Sequence, residues 1–147
     1  MIKQRLSLEP HLRELDSEIE TIELCIRKLI AQSLQADVEA LPGHVRTKMD
    51  ERIQRAMRKN PAFDTDKYQH LQARLEFCDL RELEDIILSK ATWTHFQHQF
   101  VNKETLATRF GQLAELRNVI RHSRSVDEVT RKEGEAAVLW FKKMVQT

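Results

Sequence analysis

The stretch Leu116-Arg117-Asn118-Val119-Ile120-Arg121-His122-Ser123-Arg124 holds the residue types best suited to chemistry. Asn118 and His122 are four positions apart, so in a helix they share a face. Arg117, Arg121 and Arg124 follow the neighbouring stripe, while Leu113, Leu116 and Ile120 anchor the other side in a core. A polar group presented from a rigid helix end is well held for catalysis. Imidazole takes or gives a proton near neutral pH. A guanidinium grips a phosphate oxygen with two N–H groups and stabilises growing negative charge. An Asn amide orients either partner. These groups suit a phosphodiester, and RNA supplies its own nucleophile in the 2′-OH, so no metal and no covalent enzyme intermediate is required. The same residues also suit an ordinary helix end, where His and Arg meet the negative end of the dipole. Spacing alone leaves both readings open.

Other chemistry-bearing residues form weaker patterns. His95 and His98 are three apart, within reach of one metal if helical, but no carboxylate or Cys stands at a supporting spacing. Packing beside Trp93, Phe96 and Phe100 suits them better. Trp93, Trp140 and Phe141 are of the type that stacks on bases, yet at helical spacing they read as core. Cys25 and Cys78 lie far apart inside apolar periodic stretches and read as buried free thiols, which fits a reducing cytoplasm. No apolar run approaches the roughly 18 residues of a membrane span, and no signal-peptide pattern opens the chain. A cytosolic protein is the expectation.

The elements that must position the stretch are legible as helices. The chain has 147 residues, of which 41% are hydrophobic and 32% charged, with three Gly and three Pro. So few turn residues imply long elements and argue against sandwiches, barrels and Gly-rich nucleotide-binding folds. Leu8, Leu12, Leu15, Ile19, Ile22, Ile26 and Leu29 recur at spacings of four and three, an a/d seam over about residues 10–38. Sequence alone does not separate a seam that dimerises the chain from one that packs internally. After Leu41-Pro42-Gly43 comes a basic helix, ended by Asn60-Pro61. Its segment, residues 44–60, carries Arg46, Lys48, Arg52, Arg55, Arg58 and Lys59 against Asp50 and Glu51. A third helix follows a cap at Asp64 or Thr65 and bends near Leu80. Residues 91–101 read as a short helix or a buried connector. Asn102 starts a strong helix through Ile120. Ser125-Val126-Asp127-Glu128 matches a capping box before a last helix. The expected fold is an all-α antiparallel bundle of about five to six helices. It forms one domain over 1–147, with a long N-terminal helix in 1–40.

With Arg117, Asn118 and His122 in place, the stretch resembles the signature of the HEPN superfamily: an Arg, usually a polar residue such as Asn after it, and a His four to six residues after the Arg. The preceding amphipathic helix (residues 109–116) and the following run from Asp127 to Ala137 resemble the surroundings of that motif. The resemblance covers roughly residues 60–147. It implies a small all-helical domain of the kind common in prokaryotic toxin–antitoxin and defence systems. It implies a homodimer whose Arg and His residues face one composite cleft, and metal-independent RNA cleavage leaving a 2′,3′-cyclic phosphate and a 5′-hydroxyl. On this sequence His122 would be the general acid or base, Arg117 would stabilise the phosphate and Asn118 would position it. Arg121 and Arg124 would add phosphate contacts. No metal and no cofactor is implied, and an antitoxin is a possible partner. Some paired members carry a Tyr two residues after the His; here Arg124 stands there. Other members are non-catalytic dimerisation or adaptor modules, which is the alternative expectation.

Overall fold

The computed structural model describes residues 9–122 and 125–145. All regular structure in them is helical. The α-helices are α1 (Pro10–Ser33), α2 (Gly43–Lys59), α3 (Leu71–Arg74), α4 (Leu80–Leu88), α5 (Gln97–Phe100), α6 (Lys103–Arg121) and α7 (Glu128–Val145). Four single 3-10 turns lie between them, at Val38–Ala40, Lys67–Gln69, Leu75–Phe77 and Trp93–His95. The all-α class is as expected; the one-turn helices α3 and α5 carry the number beyond six. No helix among the described residues is long and apolar enough to cross a membrane. The chain packs as two compact units, one of residues up to 25 with those from 104 onward, the other of residues 26–103.

Helix α1 ends at Ser33, five residues before the expected 38. The reason is a left-handed stop: Gln35 and Ala36 have φ of 54° and 60°. Ala36 N–H donates to Ala31 C=O and Gln35 N–H to Gln32 C=O, which satisfies the last carbonyls of the helix. Of the predicted seam, Leu15, Ile19, Ile22 and Ile26 are buried, and Ile30 takes the place of Leu29. This drift follows the pitch of a straight helix, not a supercoil. From Leu15 to Ile26 the seam is covered by the chain's own core, Leu12 and Leu29 are half-buried, and Leu8 lies outside the described residues.

In the first unit α1 contributes Leu15, Ile19 and Ile22, α6 contributes Leu106, Phe110, Leu113, Leu116 and Ile120, and α7 contributes Ala137, Val138 and Phe141, all buried. The Phe110 and Phe141 rings meet edge to face with centroids 4.9 Å apart. Helix α6 runs antiparallel to α7, because Leu116 faces Gly134 while Phe110 faces Phe141. A Cβ at Gly134 would lie 2.6 Å from Leu116 Cβ, too close for a side-chain rotation to relieve. Gly134→Ala should therefore destabilise the protein by about 1–2 kcal/mol. Overpacking costs about 1–3 kcal/mol and better helix propensity returns up to about 1. A urea melt more stable than wild type would show that α6 and α7 do not meet this closely. The cap of α7 is Asp127 and not the expected Ser125. Its carboxylate accepts from Thr130 N–H at 2.9 Å and from the Thr130 hydroxyl at 2.8 Å, and the backbone hydrogen bond from Thr130 holds its pKa below the ordinary range.

The second unit buries Ile26 and Ile30 of α1, Val45, Met49 and Ile53 of α2, Leu71, Leu75, and Leu83, Ile86 and Ile87 of α4. The predicted third helix is not continuous: it falls into the Lys67–Gln69 turn, the single turn α3, the Leu75–Phe77 turn and α4. Near Leu80, where a bend is expected, Cys78 and Asp79 are extended and Asp79 caps α4 in a box with Glu82. Arginines satisfy the carbonyls of this irregular stretch. Arg27 donates to Leu75 and Cys78 C=O at 3.0 and 3.1 Å, Arg52 to Phe77 C=O at 2.6 Å, and Arg74 to Tyr68 C=O at 3.0 Å.

Arg52 also holds the buried Glu82 carboxylate at 2.5 Å. Burial pushes the Glu82 carboxyl up, but the hydrogen bonds from Arg52 and from Asp79 N–H outweigh it, and its pKa lies below the ordinary value. A depressed carboxyl stabilises the fold fully above its unfolded pKa of about 4.3 and loses that contribution as pH falls through the folded value. Acid unfolding of Glu82→Gln should accordingly show a shallower dependence on pH below about 4.3 than wild type. Equal slopes in the two proteins would contradict this.

Residues 91–101 form the Trp93–His95 turn and α5, with Phe96 and Phe100 buried. They end in a strained γ-turn: Val101 has φ 63° and ψ −50°, and Phe100 C=O accepts from Asn102 N–H at 2.6 Å. The Val101 side chain is 77% exposed, so little packing holds it there. Val101→Gly should stabilise the protein by about 1 kcal/mol, the released strain exceeding the added chain entropy. A lower denaturation midpoint would refute the strain.

Candidate functional site

Residues 116–121 of the candidate stretch form the C-terminal turns of α6, and His122 follows directly. Four of its residues have buried leucines and isoleucine behind them: Leu113, Leu116 and Ile120 fix one side of the helix in the first unit. The His122 N–H donates to Asn118 C=O at 3.0 Å, the last helical hydrogen bond. Asn118 and His122 are both exposed and lie along one line. Arg124 lies outside the described residues.

Arg117 and Arg121 face α1. Arg117 Nε is 2.7 Å from Glu23 Oε1, and the Glu23 carboxylate is buried. Arg121 Nε is 3.6 Å from Asp16 Oδ1, which is also buried, and its Nη2 is 3.5 Å from Glu20 Oε1. The residue numbers run in opposite senses across these pairs, so α1 and α6 are antiparallel. The two guanidinia are about a quarter exposed. Five helical steps separate Arg117 from His122, about 140° of rotation about the axis. Within one chain the Arg is thus turned toward α1 and the His toward solvent. Asn118 with His122, and Arg117 with Arg121, form two pairs on adjacent stripes.

Residue order alone does not announce these acidic partners. Asp16, Glu20, Glu23 and Arg27 repeat the 4-3-4 spacing of Leu15, Ile19, Ile22 and Ile26, displaced by one residue. That polar line beside an apolar seam is the signal that could have found them. A buried carboxylate needs a partner, and α6 supplies it from about a hundred residues downstream. On the same unit, Lys142 of α7 reaches Glu18 at 3.1 Å and His11 reaches Glu135 at 2.9 Å. The hydrogen bond to Glu135 raises the His11 pKa above its ordinary value.

The remaining candidates separate. His95 and His98 are exposed, and no group of three His, Cys, Asp or Glu among the described residues is arranged to hold a metal ion. Cys78 is buried, and burial pushes its thiol up to about 12, which leaves it unreactive at neutral pH. Trp140 packs edge to face on the buried Phe141. In the second unit a polar groove of about 610 Å³ is lined by Glu39, Arg46, Thr47, Asp50, Gln69 and Arg74 among others. Its arginines are matched in place, Arg46 with Glu39 at 2.6 Å and Arg74 with Asp50. Comparison of the chain with protein-family models, with curated proteins and with solved structures finds no match.

Proposed function

We propose that the chain is a metal-independent endoribonuclease of HEPN type, a cytoplasmic toxin or defence effector that cleaves RNA at a site shared by two copies. The observation that carries the reading is the division of labour at the end of α6. His122 and Asn118 stand exposed together, and an ion pair with the buried Glu23, 2.7 Å from Arg117 Nε, keeps the guanidinium against α1. A guanidinium has five N–H donors, so a contact at Nε is compatible with a phosphate at the Nη edge.

In the proposed reaction the imidazole of one His122 takes the proton of the RNA 2′-OH. The 2′-oxygen attacks the adjacent phosphorus, the bond to the 5′-oxygen breaks, and the leaving oxygen takes a proton from the imidazolium of the second copy. The products are a 2′,3′-cyclic phosphate and a 5′-hydroxyl. Arg117 stabilises the charge on the non-bridging oxygens and Asn118 positions the phosphate, while Arg121 is engaged by Asp16 and Glu20 of α1. The rotation of about 140° between Arg117 and His122 favours a site completed by a second copy over one closed within a single chain. Purified protein incubated with total RNA in EDTA tests the reading. Cyclic-phosphate ends from a dimeric species are the expected outcome; intact RNA with dimeric, folded protein rejects it.

A second reading is a non-catalytic helical dimerisation or adaptor module. The pairing of Arg117 and Arg121 with carboxylates of α1 favours it, since these contacts fasten α6 to α1 without any ligand. It requires His122→Ala to leave RNA metabolism and growth unchanged.

A further inference from the structure

We infer that the outer face of α2 is a docking surface for single-stranded RNA, through its phosphates and bases. The choice of RNA among polyanions rests on the ribonuclease reading; the surface itself is carried by other residues. Lys48, Arg55 and Lys59 stand at i, i+7 and i+11, so they fall within about 40° of one another around the helix and span about 16 Å along it. Arg58 flanks them, and Glu51 is the one acid within the stripe. All four cations are exposed, and none has a carboxylate within ion-pair distance among the described residues. Two other arginines of the same helix are matched: Arg46 by Glu39 and Arg52 by Glu82. In a chain of net charge +1, the unmatched positive charge of α2 is gathered on one face.

Charge alone would suit any polyanion; the aromatic residues beside it narrow the choice. Phe63 and Tyr68 are half-buried and stack with centroids 4.7 Å apart. The segment that carries them is tied to α2 from both sides. Arg74 contacts Asp50 of α2 and Tyr68 C=O, and Arg52 of α2 donates to Phe77 C=O, whose ring lies 5.3 Å from that of Tyr68. Phe63 follows Lys59 by four residues and its N–H donates to Asn60 C=O at 3.0 Å, so the rings come next along the chain after the basic track. Lys67 adds a cation over the Tyr68 ring. Proteins hold single strands with phosphates on cations and bases on aromatics. An anionic membrane fits less well, because the apolar side of α2 (Val45, Met49, Ile53) is buried and Met57 alone among its large apolar residues stands exposed.

The test is binding of a labelled 2′-O-methyl RNA 20-mer, which cannot be cleaved through its 2′-oxygen, to the full chain across a salt series. Wild type should bind with a slope of log K against log salt that falls by about 3 when Lys48, Arg55, Arg58 and Lys59 are all changed to Gln, at about 0.7 per phosphate contact. Phe63→Leu should weaken binding about fivefold or more at constant slope. All these positions are at least partly exposed, and circular dichroism checks that the variants fold. An unchanged slope in the quadruple variant overturns the inference, as does equal binding of phosphatidylglycerol vesicles that compete with the RNA. If the 2′-O-methyl probe binds through this face and unmodified RNA of the same sequence, added in EDTA, is never cut, the surface stands and the ribonuclease reading falls. RNA cut by wild type, with an unchanged slope in the variant, does the reverse.

Discussion

Arg117→Ala is expected to lose about 2–3 kcal/mol of stability, whatever it does to RNA. Its Nε stands 2.7 Å from a carboxylate that is itself buried, and removing one member of a buried pair leaves the other charge uncompensated at a cost of about 3–5 kcal/mol. The partial exposure of Arg117 lets water reach the vacated space and lowers the figure. The double variant Arg117→Ala with Glu23→Gln should recover at least half of the loss, since a neutral amide needs no counter-charge. Urea unfolding of the four proteins of the cycle measures this. The expected coupling is about 1–3 kcal/mol; additivity within about 0.5 kcal/mol would mean that Glu23 and Arg117 do not support each other. The same cycle decides how an activity loss in Arg117→Ala is read, because a destabilised α6 and a missing phosphate contact give the same phenotype.

His122→Ala carries no such ambiguity. The side chain is exposed at the end of α6, and the hydrogen bond made there belongs to the backbone. Its removal should change stability by less than about 0.5 kcal/mol, as is usual for surface positions. On the ribonuclease reading it should slow cleavage by about 10²–10⁴-fold, the usual contribution of a positioned acid or base. A variant as stable as wild type and equally active would remove His122 from the chemistry. Full stability with a loss in that range would separate the catalytic reading from the adaptor reading, which makes no demand on this imidazole.

Much of the helical frame is legible in residue order alone. The seam of Leu15, Ile19, Ile22 and Ile26 is buried as its spacing requires, and the apolar line of Leu106, Phe110, Leu113, Leu116 and Ile120 lies inside α6 as expected. The break near Leu80 is visible as a shift of stripe, although the Asp79 box that makes it is not picked out. Helix ends are less legible because local chemistry decides them. Gln35 and Ala36 adopt a left-handed turn that neither residue type announces, and Asp127 competes with Ser125 for the same cap. The candidate site divides in the same way. Asn118 and His122 could be placed together by counting four residues. The environment of Arg117 could not, because it depends on Glu23 of a distant helix. A carboxylate flanking an apolar seam looks like a solvent-facing residue until the helix that covers it is known.

On the ribonuclease reading His122 moves the proton while Glu23 keeps Arg117 in place for the phosphate. The most direct measurement is cleavage of RNA in EDTA by wild type, His122→Ala and Glu23→Gln at one temperature, with the product ends identified. Wild type should leave cyclic-phosphate ends and His122→Ala none above background. Glu23→Gln should show a partial loss, because Arg117 keeps its charge and loses its anchor. Equal cleavage by wild type and His122→Ala, or activity that EDTA abolishes, would contradict the ribonuclease reading.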